Sequence, residues 1–372
     1  MLQPSRVLNH ANETAGCGAA GRETVIQFFT KLREARPSLA SSRAFRAPLT
    51  SGWIPGRFPR PLRAGAVRQQ RDYFLYIPVT VGRRDRVPLL VMLHGCSQDA
   101  QTFAQGSRMN ELADEHRFLV LYPQQSLHAN ALRCWNWFEP RTGHGAGEAA
   151  AIAALVRDVA RRYPIDRSRI YVAGISAGGA MTAILALCYG ALFAACAIVA
   201  GVMYRAADSA PAGVRAMRSG TEVSPESMAD EAASSLPRKA RFVPALVIHG
   251  THDSVVHPRN AEQIVRQFRR FAELLGMPLE PLTDAVDRFT SSEGRSYRQH
   301  DYVSGNQLLL RSILIEGLGH AWSGGDERHR YNDSAQPNTT QLIWDFLSRF
   351  RRRAPRRSPP LRLGLRYLRR LF

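Results

Sequence analysis

Short apolar segments recur through the middle of the chain, with amphipathic stretches between them. Residues 88–93 (PLLVML), 118–122 (FLVLY), 169–173 (RIYVA), 194–200 (AACAIVA), 243–249 (VPALVIH) and 308–315 (LLLRSILI) lack the polar/apolar alternation of a half-exposed strand. Runs of this kind predict strands buried on both faces. Residues 72–78 (DYFLYIP) add an aromatic strand before them. Helices are predicted over 104–116, 147–163, 178–189, 260–275 and 339–350. The second is the clearest. Ile152, Leu155, Val156, Val159 and Tyr163 form one stripe, Glu148 sits near the start, Arg157, Arg161 and Arg162 sit near the end, and Pro164 stops it.

Buried strands alternating with helices predict an α/β domain with a mostly parallel sheet covered on both faces. We place it at residues 67–350. Residues 203–241 interrupt the alternation and read as a small insertion near the sheet's C-terminal edge, with a cap as one possibility. Residues 1–66 read as an accessory N-terminal segment. They contain an apolar patch (Val25, Ile26, Phe28, Phe29, Leu32) and then a stretch from 36 to 66 rich in Pro, Ser, Arg and Gly, which reads as linker. Residues 351–372 read as a basic tail.

Charge sharpens this division. The net charge is +19, of which residues 1–66 carry +7 and residues 349–372 carry +10, leaving +2 for the rest. A nucleic-acid-binding domain concentrates positive charge on a folded face, so nucleic acid is disfavoured as a partner. In the tail, Leu361, Leu365, Leu368 and Phe372 share a helical face opposite arginines. That pattern suits an anionic membrane or granule surface; a solvated tail weakened by Gly364 is the competing reading. Residues 1–24 lack the continuous apolar core of a secretory signal, which favours the cytoplasm, with non-Sec export or a misplaced start codon as the alternatives. Five cysteines without a CxxC pair argue against structural zinc, and no cofactor is expected. Cys188 and Cys196 read as buried thiols; whether Cys96 and Cys134 pair is open.

Residues 174–178 (GISAG) lie between a predicted strand and a predicted helix. In that context the pattern is a nucleophile elbow, with Ser176 strained and exposed at the turn. A serine hydroxyl needs a base and an orienting acid. Asp253 follows the strand 243–249 in GTHD, and His320 follows the strand 308–315 in EGLGH. Their order after Ser176, at strand ends, matches that requirement. His252 and His257 are nearby decoys. An oxyanion hole needs two backbone N–H groups; Ala177 and Cys96 are the candidates. The Cys96 thiol as nucleophile is a weaker reading. Glu148, which resembles a second carboxylate, is explained by a first-turn position.

The chain resembles the polyhydroxybutyrate (PHB) depolymerase-type esterases of the α/β-hydrolase superfamily. The resemblance rests on residues 93–98 (LHGCSQ), 134–138 (CWNWF) with 145–148 (GAGE), 171–181 (YVAGISAGGAM), 247–253 (VIHGTHD) and 319–325 (GHAWSGG), and spans about residues 70–350. It implies the α/β-hydrolase fold and carboxylic ester hydrolysis through an acyl-enzyme, with Ser176, Asp253 and His320 as triad. It implies polyhydroxyalkanoate chains or oligomers, or related esters, as substrates. Feruloyl or acetylxylan esters, acyl transfer on the same site, and an idle binding protein are the alternatives. Trp135, Trp137 and Trp322 are candidate substrate-lining residues, with core packing as the competing role.

Overall fold

The computed structural model describes residues 50–59, 70–235, 241–282, 287–289 and 294–352. The apolar patch at 25–32 and the tail face at 361–372 lie outside the described residues.

The predicted buried strands form the centre of one sheet. They are β3 (Val87–Leu93), β4 (Leu119–Pro123), β5 (Ile165–Ile175), β6 (Ala195–Val199), β7 (Ala245–Gly250) and β11 (Gln307–Ile315). They lie in the order β4, β3, β5, β6, β7, β11, and each adjacent pair is parallel. Every residue of β3, β4, β6 and β7 is buried. That is why they carry no alternation: neither face meets water.

The flanks are antiparallel. On one side β2 (Gln70–Ile77) pairs with β4, and β1 (Gly52–Pro59) pairs with β2. Residues 52–59 fall within the stretch that composition assigns to a linker, so the sheet starts before residue 67. Trp53 stacks on Phe74, which is how this edge strand acquires an apolar anchor despite its Gly and Pro content. On the other side β10 (Tyr297–Ser304) pairs with β11, and β8 (Glu280–Pro281) and β9 (Asp287–Phe289) pair with β10. The pattern of apolar runs missed β10 because its residues are mostly polar and partly exposed.

The helices α1 (Ala100–Ser107) and α2 (Met109–His116) replace the single one predicted over 104–116. Asp99 starts α1 earlier by a capping box with Thr102. Arg108, with φ 53°, breaks the pair. The break leaves the Gly106 and Ser107 carbonyls to accept from Asp326 N and Thr340 Oγ1. After α3 (Pro140–Gly143) come α4 (Gly147–Arg162) and α5 (Ala177–Cys188). Helix α5 is buried almost all round, the expected state of a helix apolar on every side. The insertion folds as α6 (Ala210–Ser219) and α7 (Pro225–Ser235), followed after β7 by α8 (Arg259–Leu274); α9 (Thr339–Leu347) closes the domain. Among the described residues no helix is long and apolar enough to cross a membrane.

Candidate active site

Parallel pairing puts the C-terminal ends of β3, β5, β6, β7 and β11 on one edge: Leu93 is level with Gly174, Val199 with Ile175, and Gly250 with Ile315. Ser176, Asp253, His320 and the loop 94–98 all follow directly from those ends. Ser176 has φ 57° and ψ −121°, a conformation an L-residue holds only under constraint. The constraint is steric. A Cβ at Gly178 would collide with Leu93 O and His94 O, so the helix presses onto β3 as only glycine permits. Ser176 N donates to Val199 O, tying the turn to the neighbouring strand.

Asp253 is buried. Its Oδ1 accepts from Val255 N (2.9 Å) and Val256 N (2.8 Å), and its Oδ2 lies 2.7 Å from His320 Nδ1. Burial alone raises a carboxyl's pKa, but here the hydrogen bonds from His249, His320 and Val256 outweigh it and hold Asp253 well below the usual carboxylate range. An ionised carboxylate only accepts, so His320 carries its proton on Nδ1 and leaves Nε2 as the basic nitrogen. Gly250 permits this approach of loops: a Cβ there would strike Leu318 O and Gly319 O, just before His320. Tyr331 sets its ring edge-on against His320, 5.9 Å between centroids. Among the described residues no hydrogen bond joins Ser176 Oγ to His320 Nε2; such contacts tighten when substrate is bound. His252 and His257 are exposed and turn to local partners: His252 Nδ1 pairs with the Thr251 hydroxyl (3.1 Å), and His257 Nδ1 accepts from Arg259 N (3.1 Å).

The loop 94–98 runs beside Ser176. A Cβ on Gly95 would lie 3.3 Å from Ser176 Cβ. Cys96 forms a disulfide with Cys134, which removes its thiol as a nucleophile. The N–H groups of Cys96 and Ala177 have no hydrogen-bond acceptor among the described residues, which leaves them available to a developing oxyanion. Of the other cysteines, burial pushes the Cys188 thiol up to about 12 and the Cys196 thiol higher still, so neither is a nucleophile near neutral pH.

The tryptophans are core residues. Trp135 is fully buried and donates Nε1–H to His94 O (3.1 Å). Trp137 is buried beneath α6, against Phe138 and Gly213. Trp322 is buried edge-on to Phe103 and donates to Thr340 Oγ1 (2.9 Å). Each of the three is thus a packed, buried side chain. A pocket of about 420 Å³ does adjoin the insertion, lined among others by Arg205, Arg215, Thr221 and Met228. The insertion docks near Asp253: His257 N donates to Met217 O and Asn260 Nδ2 to Ala216 O.

Sequence reasoning missed four residues. His249 is buried, with Nε2 2.7 Å from Val256 O and 3.4 Å from Asp253 Oδ2, so that nitrogen carries the proton and supports the carboxylate. Gln98 accepts from Gly95 N (2.8 Å) and donates to Arg330 O (3.3 Å), linking the two sides of the site. Gln125 donates to Cys134 O and to Glu148. Tyr331 flanks His320. Glu148 does sit in the first turn of α4, but its carboxylate is buried and accepts from Gln125 Nε2 (2.7 Å) and Asn136 N (2.8 Å). Its work is to anchor the loop after Cys134. His249 and Gln98 stand inside the blocks 247–253 and 93–98, but nothing in those blocks says what each side chain bonds, and Gln125 and Tyr331 lie in no block.

A profile of the family described as Esterase PHB depolymerase matches residues 71–278. Poly(3-hydroxyalkanoate) depolymerase C of Paucimonas lemoignei is 34% identical over 250 residues, covering 66% of this chain and 57% of that protein. The chain thus spans little more than half the length of that relative. Feruloyl esterase B of Neurospora crassa is 29% identical over 255 residues (66% and 82% covered), and acetylxylan esterase A of Aspergillus oryzae 29% over 275 residues (69% and 85% covered). Among solved structures, an acetyl xylan esterase from Aspergillus awamori matches with TM-score 0.58 at 20% identity, over 75% of this chain and 94% of that one. That likeness concerns the α/β-hydrolase fold.

Proposed function

The chain belongs to the Esterase PHB depolymerase family, and from that premise we propose that it hydrolyses carboxylic esters through an acyl-enzyme on Ser176. The observation that carries this reading is the 2.7 Å bond between His320 Nδ1 and Asp253 Oδ2, on the same sheet edge as the strained Ser176. Ser176 Oγ attacks the ester carbonyl carbon and its proton passes to His320 Nε2. Asp253 stabilises the imidazolium that forms. The N–H groups of Cys96 and Ala177 hold the oxyanion. As the tetrahedral adduct collapses, His320 returns the proton to the leaving alcohol. Water then attacks the acyl-enzyme by the same route and frees the acid.

For the acyl group we propose hydroxyalkanoate chains or oligomers. The support is the higher identity to the depolymerase, 34% against 29% for the feruloyl and acetylxylan esterases. Three measurements test the proposal. Ser176→Ala should abolish hydrolysis of short p-nitrophenyl esters, and wild-type protein should be labelled at Ser176 by a fluorophosphonate; a fully active variant would sink the mechanism. A panel of hydroxybutyrate oligomers, feruloyl esters and acetylated xylan should show the highest kcat/KM on the oligomers. A preference for either of the others overturns the substrate and leaves the mechanism standing.

A further inference from the structure

We propose that His94 is a positioning residue: its imidazole holds the peptide joining Gly95 to Cys96 in the one orientation that turns the Cys96 N–H out as an oxyanion donor. This rests on the reading of Ser176 and the oxyanion hole given above. His94 is fully buried and does not touch the reacting atoms. Its Nδ1 lies 2.8 Å from Gly95 O and its Nε2 lies 3.2 Å from Gln125 N. A carbonyl only accepts and a backbone N–H only donates, so the two partners together admit one state: neutral, with the proton on Nδ1. Burial favours the same state, pushing the imidazole down to about 4.

The consequence follows from peptide geometry. Gly95 O and Cys96 N belong to one planar trans peptide, in which C=O and N–H point in opposite directions. Holding the oxygen inward on Nδ1–H therefore turns the Cys96 N–H the other way. The peptides on either side are also tied: Gly95 N donates to Gln98 Oε1, and Ser97 N donates to Leu132 O (2.7 Å). The imidazole is fixed in turn, because Gln125 also donates to Cys134 O, on the far side of the Cys96 disulfide. Without the Nδ1–H bond a flipped peptide would present a carbonyl oxygen to the oxyanion and repel it.

Asparagine and glutamine separate the two nitrogens. The Asn amide stands where Nδ1 does; the Gln amide reaches the place of Nε2. We expect His94→Gln to lower kcat by about 100-fold, with KM changed less than about twofold. It should weaken binding of a trifluoromethyl ketone, which forms a tetrahedral adduct on Ser176, by the same factor. His94→Asn should recover kcat to within about tenfold of wild type. Nitrogen NMR of the wild-type protein at pH 7 should place the His94 proton on Nδ1. Equal losses in both variants, no loss in either, or a proton on Nε2 would each overturn the assignment. The NMR result stands even if His94→Gln fails to fold. Failure of wild-type protein to react with a fluorophosphonate would sink the Ser176 reading instead, which makes the two failures distinguishable.

Discussion

The elbow at Ser176 and the loop 94–98 facing it both hold backbone groups in place, and they do so by different means. At the elbow the restraint is steric: α5 presses against β3 so closely that only glycine fits at 178, and the strain at Ser176 is sustained by buried neighbours. In the loop the restraint is a set of cross-links: the Cys96 disulfide, the Gln98 and Ser97 bonds, and the His94 imidazole. A steric device rests on one close contact and fails all at once. A cross-linked device is shared among several ties and fails in parts.

The largest effect expected is at the acid. Asp253→Asn should leave the fold intact while lowering kcat by about 10⁴-fold, because the wrong imidazole tautomer is then favoured; steady-state kinetics beside a circular dichroism spectrum checks both halves. Gly178→Ala should break the comparison on the steric side. Its Cβ meets backbone, which cannot rotate away, so a stability loss of about 4 kcal/mol is expected, read by urea unfolding.

Opening the disulfide sharpens the other side. It closes a loop of sequence separation 38, and chain entropy puts its contribution at up to about 4 kcal/mol. Because the other ties remain, Cys96→Ser with Cys134→Ser should lower Tm and yet retain measurable esterase activity. Total loss of activity with unchanged Tm would contradict the picture of shared restraint.

Acid should reach His94 and Asp253 in sequence. His94 has a folded pKa near 4 against about 6.5 unfolded, with Asp99 and Arg133 facing it in opposition. The unfolded chain therefore binds more protons between those values. His94 contributes its full stability above about pH 6.5 and loses it as pH falls to 4, by roughly 3 kcal/mol. Asp253 is depressed, so its contribution is present above about pH 4 and is lost only below. Urea midpoints from pH 8 to 3 should fall in two stages, and His94→Asn should remove the upper one. The smallest effect expected is at Trp322→Phe: loss of the Thr340 bond should cost about 1 kcal/mol in stability, with KM changed less than about twofold.

Legibility in the sequence followed the same divide. The central strands were readable because burial on both faces makes them wholly apolar. The elbow was readable because steric closeness demands glycine at fixed spacing. Asp253 and His320 could be placed because their strands could. The edge strand Gly52–Pro59 was hidden by linker-like composition, and β10 by its polar residues. The break at Arg108 was hidden because the groups that take up the freed Gly106 and Ser107 carbonyls, Asp326 N and Thr340 Oγ1, lie more than two hundred residues away.

By itself, then, the sequence determined the parallel core, the turn that strains Ser176 and the order of the candidate triad. These depend on local packing limits that any neighbour would impose. Tertiary structure alone decided which tryptophans are core, that Cys96 pairs with Cys134, that Glu148 anchors a loop, and how the peptide beside Cys96 is oriented. Those outcomes turn on hydrogen bonds and contacts between residues far apart in the chain, and no local pattern encodes which partner a buried polar group will meet.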